Sequence, residues 1–167
     1  DTSSDTLAGA RSVFGGPDPE LLGFMSKTEE DKGLVAQIEQ WTADGLSPSD
    51  VAVFVYEKND VREIEAALEA AGVEAQVVNE GTKGERLGDG VRVMTMHRAK
   101  GMEFSRVILA GADDKHVPLP ATLRSVPDEE KGEAMLRERS LLYVASSRAR
   151  DALVVTWSGK KSELLGE

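Results

Sequence analysis

The chain has 167 residues, 40% of them hydrophobic, which suits a single domain with its own core and argues against a disordered tail. It holds no cysteine and two histidines, so disulfides, thiolate catalysis and thiolate-bound metal are excluded and a structural zinc site lacks ligands. The net charge of −10 opposes nonspecific binding to nucleic acid or membrane, but it is uneven: −12 over residues 1–85 and +2 over residues 86–167.

In chain order, DTSSDTLAGA has neither an initiator Met nor an apolar targeting stretch, so it reads as a cut from a longer cytoplasmic chain. Residues 1–20, rich in Ser, Gly, Asp and Pro, read as a flexible N-terminal segment, with one domain over 21–167. A short strand is expected from Leu21 to Ser26. An amphipathic helix follows from Thr28 to Ala43, capped by Thr28 with Asp31, its stripe formed by Leu34, Ile38 and Trp41. Val51–Val55 is an unbroken apolar run, as a strand covered on both faces requires. Asn59 is placed to cap the next helix, which ends at Gly72.

Strands are then expected at Val73–Asn79, Val91–Met96 and Arg106–Gly111, with a glycine-rich loop over Glu80–Gly90. Ala112 to Lys131, with three prolines, reads as a long surface loop. Glu133 to Arg150 reads as a helix burying Leu141, Leu142, Val144 and Ala145, and Ala152 to Trp157 as the final strand. Strands alternating with helices predict an α/β sheet with right-handed crossovers. No run approaches the roughly 18 apolar residues of a membrane helix.

Two clusters carry the chemistry. The first is HRAKGMEFS, between two strands, with His97, Arg98, Lys100 and Glu103 around Gly101. A glycine among cations lets backbone approach a phosphate, and Thr95 to Glu103 is expected beyond the carboxyl ends of the strands, where open α/β sheets bind ligands. A polar turn between core strands is the plain alternative. The second is ERSLLYVASSRARD, whose Arg148 and Arg150 either offset a helix dipole or grip a phosphate with a planar fork.

Together, VRVMTMHRAKGMEFSRVILAG and ERSLLYVASSRARDALVVT resemble motifs V and VI of superfamily 1 helicases of the UvrD/Rep/PcrA family. LSPSDVAVFVYEKNDVREIEAALEAAGV is similar to the strand–helix unit entering that family's second RecA-like domain, so the likeness runs from about Leu21 to Trp157. No G-x-x-x-x-G-K-[ST] occurs, and Ser146–Ser147–Arg148–Ala149 stands where the family usually has V-T-R-A. The family's N-Y-R-S-like motif IV would lie upstream, and the accessory domain of large members has only the Glu80–Gly90 loop in its place.

The resemblance implies a RecA-like, P-loop NTPase-type three-layer α/β/α domain with a mostly parallel sheet and no P-loop of its own. It implies the C-terminal motor domain of a cytoplasmic, ATP-dependent 3′–5′ DNA helicase or translocase, catalytically silent alone. By the same likeness, Thr95 and His97 face single-stranded DNA, Gly101 lies near the γ-phosphate, Glu103 bonds the ribose and Arg148 is the arginine finger. ATP and Mg²⁺ are the implied cofactors, Mg²⁺ being held by the N-terminal RecA-like domain of the same parent chain, and no membrane is involved. For His97 the alternative is a satisfied loop histidine, and for Glu103 an ion pair with Arg98 or Lys100. His116, Trp41 and Trp157 match no functional position and are expected as surface, core and sheet residues. The rival function is a degenerate helicase-like domain acting as a protein-interaction module without turnover. A flavodoxin-like small-ligand domain fits the α/β pattern but not the motif pair.

Overall fold

The computed structural model describes residues 14–79, 87–117 and 123–166. Six strands form one sheet in the order β1-β6-β5-β2-β4-β3, every neighbouring pair parallel. They are β1 (Pro19–Phe24), β2 (Val51–Val55), β3 (Ala75–Val77), β4 (Val91–Thr95), β5 (Phe104–Leu109) and β6 (Ala149–Ser158). Among the described residues three helices cover the sheet: α1 (Lys27–Ala43), α2 (Lys58–Ala70) and α3 (Lys131–Ser146). The α/β reading holds.

The three layers follow from the alternation of side chains along β2. Val51, Val53 and Val55 face α1 and α2, meeting Leu34, Ile38, Trp41, Ile64 and Leu68. Ala52 and Phe54 face the other way, into the layer of Leu142 and Ala145 from α3. All five β2 residues are buried, as the unbroken apolar run predicts for a strand flanked by β5 and β4. Among the described residues no helix is long and apolar enough to cross a membrane.

Several boundaries differ from the sequence reading. The α1 cap is Ser26, whose hydroxyl accepts from the Glu29 amide at 3.1 Å, so Thr28 falls inside the helix. Asn59 lies within α2, whose N-terminal flank is Glu57 with no side-chain cap. The last helix stops at Ser146, and Arg150 stands exposed on β6. Here the sheet wins the backbone: the Arg148 carbonyl accepts from the Phe104 amide at 2.8 Å, and Ala149 pairs with Phe104 in the ladder. The buried stripe of α3 is Ala134, Glu138, Leu142 and Ala145, with Leu141 and Val144 only half-buried.

Part of the segment expected to be flexible is packed. Strand β1 begins at Pro19, a residue suited to an edge strand, and the Gly15 amide donates to the buried Ser146 hydroxyl at 2.7 Å. Residues 1–13 of that segment and 80–86 of the glycine-rich loop lie outside the described residues. The start of the expected surface loop is also packed. Ala112, Asp113 and Val117 are buried, and Asp113 forms an antiparallel bridge with Lys161, because the chain closes over the carboxyl end of β6. Residues 118–122, with two of its prolines, lie outside the described residues.

Candidate functional site

The topology divides the candidate residues between opposite ends of the sheet. Strand β4 runs toward Thr95, and β5, parallel and two places along, starts at Phe104. The connection between them must therefore travel from the carboxyl end back to the amino end. It does so through one 3₁₀ turn, Met96–Arg98, and a second turn closed by the Met102 amide donating to the Ala99 carbonyl at 3.1 Å. Thr95 and His97 stay at the carboxyl end, whereas Gly101 and Glu103 reach the amino end. The expectation that Thr95 to Glu103 all lie beyond the carboxyl ends is corrected accordingly.

At the amino end, the Phe104–Arg148 backbone bond ties the motif V descent to the turn after α3, bringing Glu103 and Arg148 onto adjoining strand starts. Gly101 is exposed at φ +83, with open space where a Cβ would stand, so its surface is free to receive a ligand. Glu103 is exposed. The Arg148 guanidinium is half-buried and donates through Nη2 and Nε to the Ser147 hydroxyl at 3.0 and 3.4 Å. Ser147 in turn donates to the Val144 carbonyl at 2.7 Å, which fixes its oxygen as the seat for that guanidinium. Among the described residues Arg148 has no carboxylate partner. A half-buried cation held by a neutral hydroxyl keeps its charge available for an anion, with the exposed Glu103 carboxylate and the open face of Gly101 at the same end of the sheet.

At the carboxyl end, half-buried Thr95 lines a cavity of about 310 Å³ with Lys58, Arg62, Asn79 and Arg98. Lys58 and Arg62 sit one helical turn apart at the start of α2, so both reach the same opening. Three cations, an amide and a hydroxyl around one opening suit a phosphodiester backbone. Their signal in the sequence was the i, i+4 pair of cations within the strongly acidic N-terminal half. His97 is exposed, and its ring packs edge-on against Tyr56, centroids 5.3 Å apart at 79°. Tyr56 donates its hydroxyl to Glu138 Oε1 at 2.6 Å. Tyr56 and Glu138 belong to this neighbourhood, and neither was singled out from sequence.

His116, expected at the surface, is instead half-buried between Asp113 and the start of α2. Its Nδ1 lies 2.8 Å from Asp113 Oδ1 and its Nε2 3.8 Å from Asp60 Oδ2. The Asp113 hydrogen bond, reinforced by the charges of Asp113, Asp60 and Glu57, lifts the imidazole pKa to about 9 against the opposing effect of burial. Burial in turn holds the Asp60 carboxyl above its ordinary range. Glu57, Asp60 and His116 are the described residues whose ligand atoms cluster within 4.8 Å, and they lie at the far end of the sheet from Arg148. Trp41 is buried, as expected of a core residue, and Trp157 stands in β6 against Gly23.

Residues 79–160 match the family model for the UvrD-like helicase C-terminal domain. DNA helicase II of Escherichia coli K12 is 32% identical over 138 residues, covering 81% of this chain and 18% of that protein. Over residues 79–160 the chain is a UvrD-like helicase C-terminal domain. The ATP-dependent DNA helicase PcrA of Staphylococcus aureus Mu50 is 40% identical over 68 residues, 41% of this chain and 9% of that protein. This UvrD-like domain thus spans under a fifth of the length of the curated relatives it matches. A solved structure described as the C-terminal domain of a possible DNA helicase from Lactobacillus plantarum WCFS1 superposes with a TM-score of 0.70. It covers 94% of this chain and 86% of its own at 22% identity, a likeness of fold alone. The likeness to UvrD-like helicase C-terminal domains and the α/β fold both stand.

Proposed function

We propose that this domain is the second RecA-like motor of a cytoplasmic, ATP-dependent 3′–5′ DNA helicase or translocase, completing an ATP site and holding single-stranded DNA. The observation that carries the reading is Arg148, a half-buried guanidinium without a carboxylate partner among the described residues, on the same sheet end as Glu103 and Gly101. ATP supplies the phosphoryl group whose transfer to water drives the cycle. Arg148 is placed to stabilise charge on the phosphoryl oxygens, and Glu103 to accept from ribose hydroxyls. The P-loop and the Mg²⁺ ligands belong to the N-terminal RecA-like domain, since no G-x-x-x-x-G-K-[ST] occurs in this chain. The chain alone therefore turns over no ATP. At the other end, Thr95 and His97 meet the strand, with the cavity's cations on its phosphates.

The test is Arg148→Ala in the helicase that carries this domain. An arginine finger contributes about 10³–10⁵ in turnover, so ATPase should fall by orders of magnitude while ATP binding changes modestly. Arg148→Lys should not restore turnover, because a point charge lacks the fork. Turnover of Arg148→Ala within a few-fold of wild type would remove the finger and the ATP-site reading with it.

A further inference from the structure

Glu138 is a carboxylate at 5% exposure in the buried stripe of α3, where an apolar residue would pack without the cost of desolvating an acid. Its hydroxyl partner, Tyr56, is 82 residues away in sequence, at the point where β2 gives way to α2. The opposite side of the Tyr56 contact is the ring of His97, on the 3₁₀ turn that α3 packs against. A continuous line therefore runs from an exposed imidazole, through a phenol, into a buried carboxylate on a helix. That helix ends directly before the turn holding Arg148. Nothing in core packing demands this line. A Phe–Leu pair would fill similar volume with no polar group to satisfy.

We propose that Tyr56 and Glu138 are positioning residues that transmit DNA contact at His97 to α3 and thereby set the turn of Arg148. The inference rests on the proposed function, since it needs DNA at one end and ATP at the other. A strand seated on His97 presses the imidazole against Tyr56. The Tyr56 hydroxyl holds its ring to Glu138, so movement of the 96–98 turn is carried to the helix rather than dissipated in a rotamer change. The Arg148 amide and the Ser147 hydroxyl both bond to the last turn of that helix, at 3.2 Å to Ala145 O and 2.7 Å to Val144 O, so the guanidinium follows its axis. Coupling between sites needs such a contiguous, discretely packed path.

The experiment measures ATPase of the full-length helicase carrying this chain, with and without a single-stranded oligothymidine. Tyr56→Phe keeps the ring contact and removes only the hydroxyl bond. It should lower the stimulation ratio by about tenfold or more, the scale of a broken hydrogen bond to a charged group. DNA-free turnover should stay within about twofold, and half-saturation by ATP should hold. Glu138→Leu should reproduce the loss. Glu138→Gln keeps a carbonyl acceptor for the hydroxyl and should restore most of the stimulation. In a His97→Ala background, Tyr56→Phe should add nothing. Stimulation that survives both Tyr56→Phe and Glu138→Leu overturns the link and leaves the proposed function standing. An equal drop in DNA-free turnover also overturns it, because the pair is then plain scaffold. If the wild-type helicase shows no DNA stimulation at all, the proposed function itself fails.

Discussion

Gly15→Ala examines how firmly the N-terminal segment is fastened to the turn that carries Arg148. A Cβ at Gly15 would stand 2.7 Å from Ser147 Cβ, 3.1 Å from the Tyr143 carbonyl and 3.2 Å from Ser147 Cα. Two of these atoms are backbone in the last turn of α3 or just after it, so no flexible side chain can yield. Forcing the methyl into place carries an overpacking cost of about 1–3 kcal/mol. The alternative is for residues 14–16 to lift away. That releases the Gly15–Ser146 bond, worth about 1 kcal/mol net, while Ser146 keeps its bond to the Tyr143 carbonyl. Half-buried Phe14 would be released with it. Because this segment precedes an edge strand, it can detach without opening the core, so the cheaper route caps the loss at roughly 1–2 kcal/mol. Urea unfolding followed by far-UV circular dichroism should show a lower midpoint of that size. Gly132→Ala is the control: it lies in the first turn of α3 with nothing within 4 Å of a new Cβ, and it should stabilise by about 0.5–1 kcal/mol. A Gly15→Ala loss below about 0.3 kcal/mol would mean that the segment does not touch the turn. A loss above about 4 kcal/mol would mean that it belongs to the cooperative core.

Three further outcomes are expected. The folded-state pKa of His116 is raised from 6.5 to about 9, so its contribution is fully present below pH 6.5 and lost as pH rises through about 9. With the ring partly exposed, that loss should reach about 1–2 kcal/mol between pH 6 and 10, and urea midpoints for His116→Gln should be flatter across that window. Thr156→Val withdraws a hydroxyl donor, now 2.6 Å from Glu30 Oε2, from a fully buried carboxylate whose other oxygen has no partner among the described residues. Thermal unfolding should register a loss of about 2–3 kcal/mol, and a neutral result would show that Glu30 is satisfied elsewhere. Lys58→Gln with Arg62→Gln should lower the salt dependence of single-strand binding by the full helicase, by roughly 0.7 in log–log slope for each phosphate left without its cation. An unchanged slope places the strand away from the cavity.

The elements whose signals were local were legible from sequence. The VAVFV run announced a doubly covered strand, and the Leu34, Ile38, Trp41 stripe announced α1, because each records its own burial in side-chain type. The motif loops were legible for the same reason: their residues are contiguous. What escaped notice was decided by distant partners. The end of α3 depends on whether β5 offers a ladder to residues 148 and 149, and the packing of Gly15 depends on a serine 131 positions later. Tyr56 and Glu138 each look ordinary in their own helix or strand context, and only the fold makes them a pair. The division of the motif V residues between two sheet ends likewise follows from β4 and β5 both running parallel to the β2 inserted between them, an arrangement no spacing reveals.

That insertion makes the domain a lever. Residues at one end of a five-residue central strand are about 16 Å from those at the other, and the strand between them is buried along its whole length. A sheet packed so tightly turns as one piece. Each degree of rotation about the Arg148 end sweeps the Thr95 end through about 0.3 Å, and no bend in the sheet absorbs the travel. In the proposed motor, distance along a DNA strand would then be set by the angle through which the domain swings. Lengthening or shortening β4 and β2 together would change the gearing of that proposed motor without altering any residue proposed to touch nucleotide or DNA.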